Sequence, residues 1–263
     1  MISPAGPVDE SDLQPGIDLL ESSGFMVRLA PHVYEKQGYM AGEDEARLSD
    51  LHDMFRDKDI KAVFCTRGGY GCMRLLDDID YELIKENPKI FVGYSDITAL
   101  LMAKTGLITF HGPMVRGLAT KNQNNWESLL RTISSSQPLK LNFQEGTTLM
   151  AGTAKGKLIG GNLSMICHLA GTPYLPSLDG CILFVEERGE ALYRLDRMLT
   201  HLRLSGQLTG LSGFIPERPP GDRSSGRSWT EKHDRPDRFT SYTQYRFQDP
   251  FHHGSSGHVK AKI

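Results

Sequence analysis

Long apolar runs are missing from this chain. No stretch of about 18 consecutive apolar residues occurs, so no membrane-spanning helix is expected. The first residues, MISPAGPVDESD, carry neither the basic start nor the apolar run of a signal peptide, and a cytoplasmic location is the expectation. An excess of one charge is missing too: 30 Lys and Arg against 32 Asp and Glu leave a net charge of -2. That balance removes any broad electrostatic argument for nucleic acid or an anionic membrane as partner. The four cysteines, Cys65, Cys72, Cys167 and Cys181, include no CxxC pair, which argues against a zinc knot and a secreted disulfide framework. They read as small buried hydrophobes. No HExxH or similar metal-ligand spacing is present, so neither metal nor cofactor is expected.

Aliphatic residues are missing from one region. From Pro216 to Ile263 there is no Leu and no Met, and Val and Ile occur only as Val259 and Ile263. Arg, Ser, Pro and His crowd the same stretch in PERPPGDRSSGRSW and KHDRPDRFTS. Such composition buries too little apolar surface to offset chain entropy, so little stable structure is expected between about 216 and 248. The overall hydrophobic content of 39% averages this tail with an ordinary globular part.

That globular part alternates strand and helix patterns. DLQPGIDLLESSGF reads as a helix stopped at Gly24, followed by FMVRLA as a strand. EDEARLSDLHDMF, DIDYELIKEN and DITALLMAKTG read as further helices, and KAVFCT, IFVGY and LITF as short buried strands. The alternation predicts an α/β fold with a parallel, doubly wound sheet, whose ligands sit beyond the carboxyl ends of the strands. Residues 1–117 are expected to form this domain, 118–150 a polar linker with one helix, and 151–263 a smaller mixed α/β domain that is aberrant over 216–256.

Three segments could carry chemistry. In IFVGYSDITALL a buried strand meets a helix at Ser95 with no room for a loop. A sharp turn of that kind exposes a hydroxyl while the helix start offers backbone N–H groups, although Gly93 and Ser95 match only part of G-x-S-x-G. Ser95 or Asp96 as a plain helix cap fits the same residues equally well. The glycine turn Arg67-Gly68-Gly69-Tyr70-Gly71 follows the strand KAVFCT; it permits close backbone approach to a ligand, or is simply a turn. Arg67 could pair with a carboxylate or lie solvated. Glu186 and Glu187 close the strand CILFV, where a carboxylate either orients a histidine or is merely solvated. A serine mechanism needs a base; His168 and His201 lie on expected helices, where a histidine is more often core or surface, and periodicity does not choose among His111, His233, His252, His253 and His258.

Taken together, RGGYG, NPKIFVGYSDITALL, TFHGPM, LIGGNLS and ILFVEERGEALYRLDRML resemble the LD-carboxypeptidase family, serine peptidases that include muropeptide-recycling enzymes and microcin C immunity proteins. The resemblance covers about residues 2 to 215 and implies a flavodoxin-like or amidotransferase-like first domain. It implies Ser95 as nucleophile, Glu186 as the acidic member of a Ser-His-Glu triad, and an oxyanion hole from the N–H groups of Asp96 and the glycine turn, chiefly Gly69. The family histidine lies in a late Gly-His pair, which places it at His258, with a match one residue short. The implied activity is hydrolysis of the amide between an L-centre and a terminal D-amino acid of a small muropeptide, releasing D-Ala. The alternatives are a microcin C-type peptidyl-nucleotide hydrolase and a catalytically impaired remnant. Dimerisation is an expectation of the family.

The sequence departs from the family at both ends, which look clipped, and between Gly213 and Gly257. Asp249 to Ser256, back-translated and read one base later, permits Ile-Pro-Phe-Ile-Thr-Gly-Leu-Pro, the run expected before Gly-His. Residues from about 216 to 256 are therefore expected to be read out of frame, with the frame restored at Gly257-His258, which sequencing the gene decides.

Overall fold

A computed structural model describes residues 1–103, 105–119, 123–135, 150–217 and 260–262. It divides into two compact units, Met1–Gln137 with Thr172–Pro176, and Pro138–Gly171 with Ser177–Ile263.

In the first unit, helix α1 (Glu10–Ser22) turns Leu13, Ile17 and Leu20 inward at helical spacing. It ends before Gly24, which takes the left-handed conformation (φ 89°) that follows many helices. Helix α2 (Asp44–Arg56) buries Leu51, Met54 and Phe55. Strand β1 (Ala62–Phe64) leads into the glycine turn, and α3 (Tyr81–Glu86) begins where the Asp80 carboxylate accepts the Leu83 N–H at 2.9 Å. Strand β2 (Ile90–Gly93), a 3-10 turn at Ser95–Ile97, α4 (Thr98–Leu101), β3 (Phe110–His111) and α5 (Val115–Leu118) follow. Helix α6 (Gln123–Ser134) places Trp126 and Leu129 in the same core as Val92, Val115 and the α1 residues.

The strands pair in parallel in the order β1-β2-β3, with Val63 opposite Phe91 and Gly93 opposite His111. Ile2 extends the sheet beyond β1 through a parallel bridge to Cys65. The expected strand FMVRLA is not regular; it touches the sheet through two hydrogen bonds, Met1 N to the Arg28 carbonyl (2.6 Å) and Ala30 N–H to the Met1 carbonyl (3.0 Å). Counting both short segments, the spatial order is 2-1-3-4-5, that of a flavodoxin-like doubly wound sheet. The order reverses between residues 1–3 and β1, so the crevice lies where the chain after Ser3 and the turn after β1 diverge.

The second unit contains β4 (Lys155–Asn162), α7 (Leu163–Leu169), β5 (Ile182–Glu186), α8 (Leu192–Leu204), β6 (Gly213–Pro216) and β7 (Lys260–Lys262). All pair in parallel in the order β6-β5-β4-β7. The register sets Asn162, the last residue of β4, opposite Glu186, the last of β5. The mixed α/β fold with parallel sheets matches the expectation. Among the described residues no helix is long and apolar enough to cross a membrane.

Candidate active site

Ser95 has a φ of 63°, and among the described residues no other non-glycine has a positive φ. The value follows from its place: β2 ends at Gly93, Tyr94 is still extended (φ -155°), and the next helical turn starts at Ser95 itself. Reversal within one residue demands the left-handed region, which costs a side chain about 1 to 2 kcal/mol. A Cβ at Gly93 would lie 2.6 Å from Ile97, so the strand can end against the new helix only with glycine there.

The glycine turn lies against this bend. A Cβ on Gly68 would fall 2.9 Å from Ser95 Cβ and 3.0 Å from its Oγ, a closeness no side chain permits. Gly69 is exposed, with φ 131°. The turn is fixed from two sides. The Gly6 N–H donates to the Gly68 carbonyl at 3.1 Å, which ties it to the loop after Ser3. The buried Asp96 carboxylate accepts the Cys72 N–H at 2.9 Å, which ties its far end to the residue after Ser95. Arg67 donates from Nη1 to the Pro7 carbonyl at 3.1 Å and thus braces the same loop. Sequence reasoning offered Asp96 for its N–H or as a helix cap, and Arg67 as a cleft cation or a solvated group; the side chains of both also hold the turn in place.

His111 ends β3 beside Gly93 and packs edge-on against Tyr94, with ring centroids 6.1 Å apart. Burial pushes its pKa down to about 4, so the ring is neutral at pH 7. His168 and His201 are exposed on α7 and α8. His233, His252, His253 and His258 lie outside the described residues.

In the second unit the two adjacent glutamates divide their roles. Glu187 binds the start of α7: its carboxylate accepts the Ser164 N–H (3.0 Å), the Ser164 hydroxyl (2.7 Å), the Asn162 amide (3.2 Å) and the Arg188 N–H (3.0 Å). Asn162 meanwhile caps α7 by accepting the Met165 N–H at 3.2 Å. Glu186 is also buried, and desolvation raises its pKa, opposed by a hydrogen bond from Asn162 and reinforced by the neighbouring Glu187. Sequence reasoning did not single out Asn162. Asn just before an apolar helical run was the available signal, and it reports only the cap.

The arrangement presents a strained serine beside a glycine turn at a sheet crevice, and a separate buried carboxylate at a strand end. Comparison with known proteins matches both units to domains of one family. Residues 1–112 match the LD-carboxypeptidase N-terminal domain and residues 155–262 the LD-carboxypeptidase C-terminal domain. A probable murein peptide carboxypeptidase of Bacillus subtilis is 41% identical over 229 residues, covering 82% of this chain and 70% of that protein. The crystal structure of muramoyltetrapeptide carboxypeptidase from Oxalobacter formigenes superposes with a TM-score of 0.77 at 32% identity, covering 100% of this chain and 89% of that one. An MccF-like protein from Bacillus anthracis superposes with a TM-score of 0.76 at 30% identity, covering 83% and 76%. With both domain models matched in order and relatives this similar over most of their length, the chain belongs to the LD-carboxypeptidase family of peptidases.

Proposed function

We propose that the protein is a serine-type LD-carboxypeptidase that removes the terminal D-alanine from a murein tetrapeptide, in cytoplasmic recycling of cell-wall peptides. The observation that carries this reading is the left-handed Ser95 at the strand-to-helix junction, with Gly68 pressed against its side chain. A structural serine has no need of a strained backbone, whereas a nucleophile must be lifted clear of the sheet.

In this reading Ser95 Oγ attacks the carbonyl carbon as its proton passes to His258. The oxyanion is held by the N–H groups of Asp96 and Gly69; among the described residues the Gly69 N–H makes no hydrogen bond. The C–N bond then breaks, His258 returns the proton to the departing D-alanine amine, and water hydrolyses the Ser95 ester by the same steps in reverse. Glu186 orients the imidazole and, being buried, interacts with it strongly. The peptide names of the relatives support the substrate class.

The test is D-alanine release from L-Ala-γ-D-Glu-meso-diaminopimelyl-D-Ala. Turnover by the full chain, abolished in Ser95→Ala and absent for the all-L peptide, is the expected result. Normal release by Ser95→Ala overturns the assignment. The likeness to an MccF-like protein favours a second reading, hydrolysis of a peptidyl nucleotide, and a panel containing an aminoacyl sulfamoyl adenosine separates the two.

A further inference from the structure

Two large aromatic side chains stand in solvent on the first unit, Tyr39 at 67% exposure and Tyr70 at 50%. They meet edge to face, with ring centroids 5.3 Å apart and planes at 76°. Neither position is loose. Tyr70 belongs to the glycine turn, two residues from the Gly68 that touches Ser95. Tyr39 sits at the tip of a tight turn closed by hydrogen bonds between Gln37 and Met40 (2.9 and 3.0 Å) and tied to the loop after Ser3 by the Ala41 N–H to the Ala5 carbonyl (2.9 Å). The guanidinium of Arg74 lies near both phenols and is held by the Asp44 carboxylate through its Nε at 2.8 and 3.0 Å.

Rings of this size ordinarily bury about 150 to 250 Å² each, and a mounted pair left in water exposes an apolar ring face for a ligand to cover. We propose that Tyr39 and Tyr70 form the subsite for the sugar ring of a muramyl peptide, stacking on its C–H face. This rests on the reading of Ser95 as nucleophile and names the part of the substrate bound away from the scissile bond. Two residues of chain separate Gly68 from Tyr70, at most about 7 Å between Cα atoms, and the ring adds several more. Three extended substrate residues span about 10 Å, the separation between the scissile bond of a tetrapeptide and the muramyl group. The two phenol hydroxyls and the Asp44–Arg74 pair supply donors and acceptors around the rings, which suits a polyhydroxylated ring better than a nucleobase.

The test compares binding of N-acetylmuramyl-L-alanyl-D-isoglutamine with that of L-alanyl-D-isoglutamine to the full chain by calorimetry. Neither probe carries the scissile bond, so failure of Ser95 chemistry leaves the measurement intact. The expected result is about tenfold tighter binding of the sugar-bearing probe, falling to threefold or less in Tyr70→Ala and in Tyr39→Ala. If Tyr70→Ala does not fold, as judged by circular dichroism, Tyr39→Ala at the turn tip carries the comparison. Equal binding of the two probes, an unchanged ratio in the variants, no binding of either probe at millimolar concentration, or tighter binding of adenosine monophosphate at the same tyrosines overturns the proposal.

Discussion

Replacing Ser95 by glycine should leave the fold more stable than replacing it by alanine. At an ordinary position the order is reversed, because glycine loses more backbone freedom on folding, at a cost of about 0.5 to 1 kcal/mol relative to alanine. At φ 63° a Cβ costs about 1 to 2 kcal/mol that glycine avoids. The difference leaves Ser95→Gly ahead of Ser95→Ala by about 0.7 kcal/mol at the centre of a range of about 0 to 1.5 kcal/mol, and because both lack the hydroxyl, its contacts cancel from the comparison. Urea titration followed by the fluorescence of Trp126, buried in the first unit, reads the gap, with Trp229→Phe as background in both proteins. The accompanying rise in melting temperature is about 1 to 4 °C. Alanine more stable than glycine by about 0.5 kcal/mol or more, at equal m-values, would mean that the bend at Ser95 is not strained and that the argument for an exposed nucleophile fails.

Other perturbations follow from the same geometry. Gly68→Ala should lower kcat about a hundredfold by displacing the Ser95 hydroxyl, with only about 1 to 3 kcal/mol lost in stability; an unchanged kcat refutes the contact. Glu187→Ala should destabilise the second unit by about 2 to 4 kcal/mol in chemical denaturation, since four donors lose their acceptor. Glu186→Gln, isosteric at a site where burial already disfavours the charge, should keep stability within about 1 kcal/mol while D-alanine release falls at least a hundredfold. Equal behaviour of the two glutamates in both assays contradicts the division of roles. His111, neutral down to a pKa of about 4, binds its proton less readily folded than unfolded, where 6.5 applies. Its contribution is fully present above pH 6.5 and is lost as the pH falls through 4, amounting to about 3 kcal/mol. An NMR titration of the His111 ring with a midpoint near 6.5 rules this out.

Much of this was legible in the sequence because the informative features are local. The abutment of IFVGY and DITALL leaves no residues for a loop, so the sharp turn at Ser95 could be read directly, and the structure gives it a positive φ. The alternation of short apolar runs with amphipathic helices indicated the parallel sheet. FMVRLA was less legible, since period-two patterning reports which face is buried and not how many hydrogen bonds form; here only two reach the sheet. The tasks of the Asp96 and Arg67 side chains depend on partners 24 and 60 residues away, and no spacing rule encodes those. Glu186 and Glu187 look alike in sequence, and only the register that brings Asn162 and the start of α7 beside them separates a capping carboxylate from the other. The cysteines behave as small hydrophobes: Cys65, Cys72 and Cys181 are buried, and burial pushes all four thiols up, Cys167 to about 12.

The most direct test of the central claim is covalent labelling of the full chain with a fluorophosphonate, followed by peptide mass spectrometry. An activated Ser95 should carry the phosphonate adduct, and labelling should be lost in Ser95→Ala and strongly reduced in Glu186→Gln and His258→Ala. An unlabelled Ser95, or labelling that survives Ser95→Ala, would contradict the account.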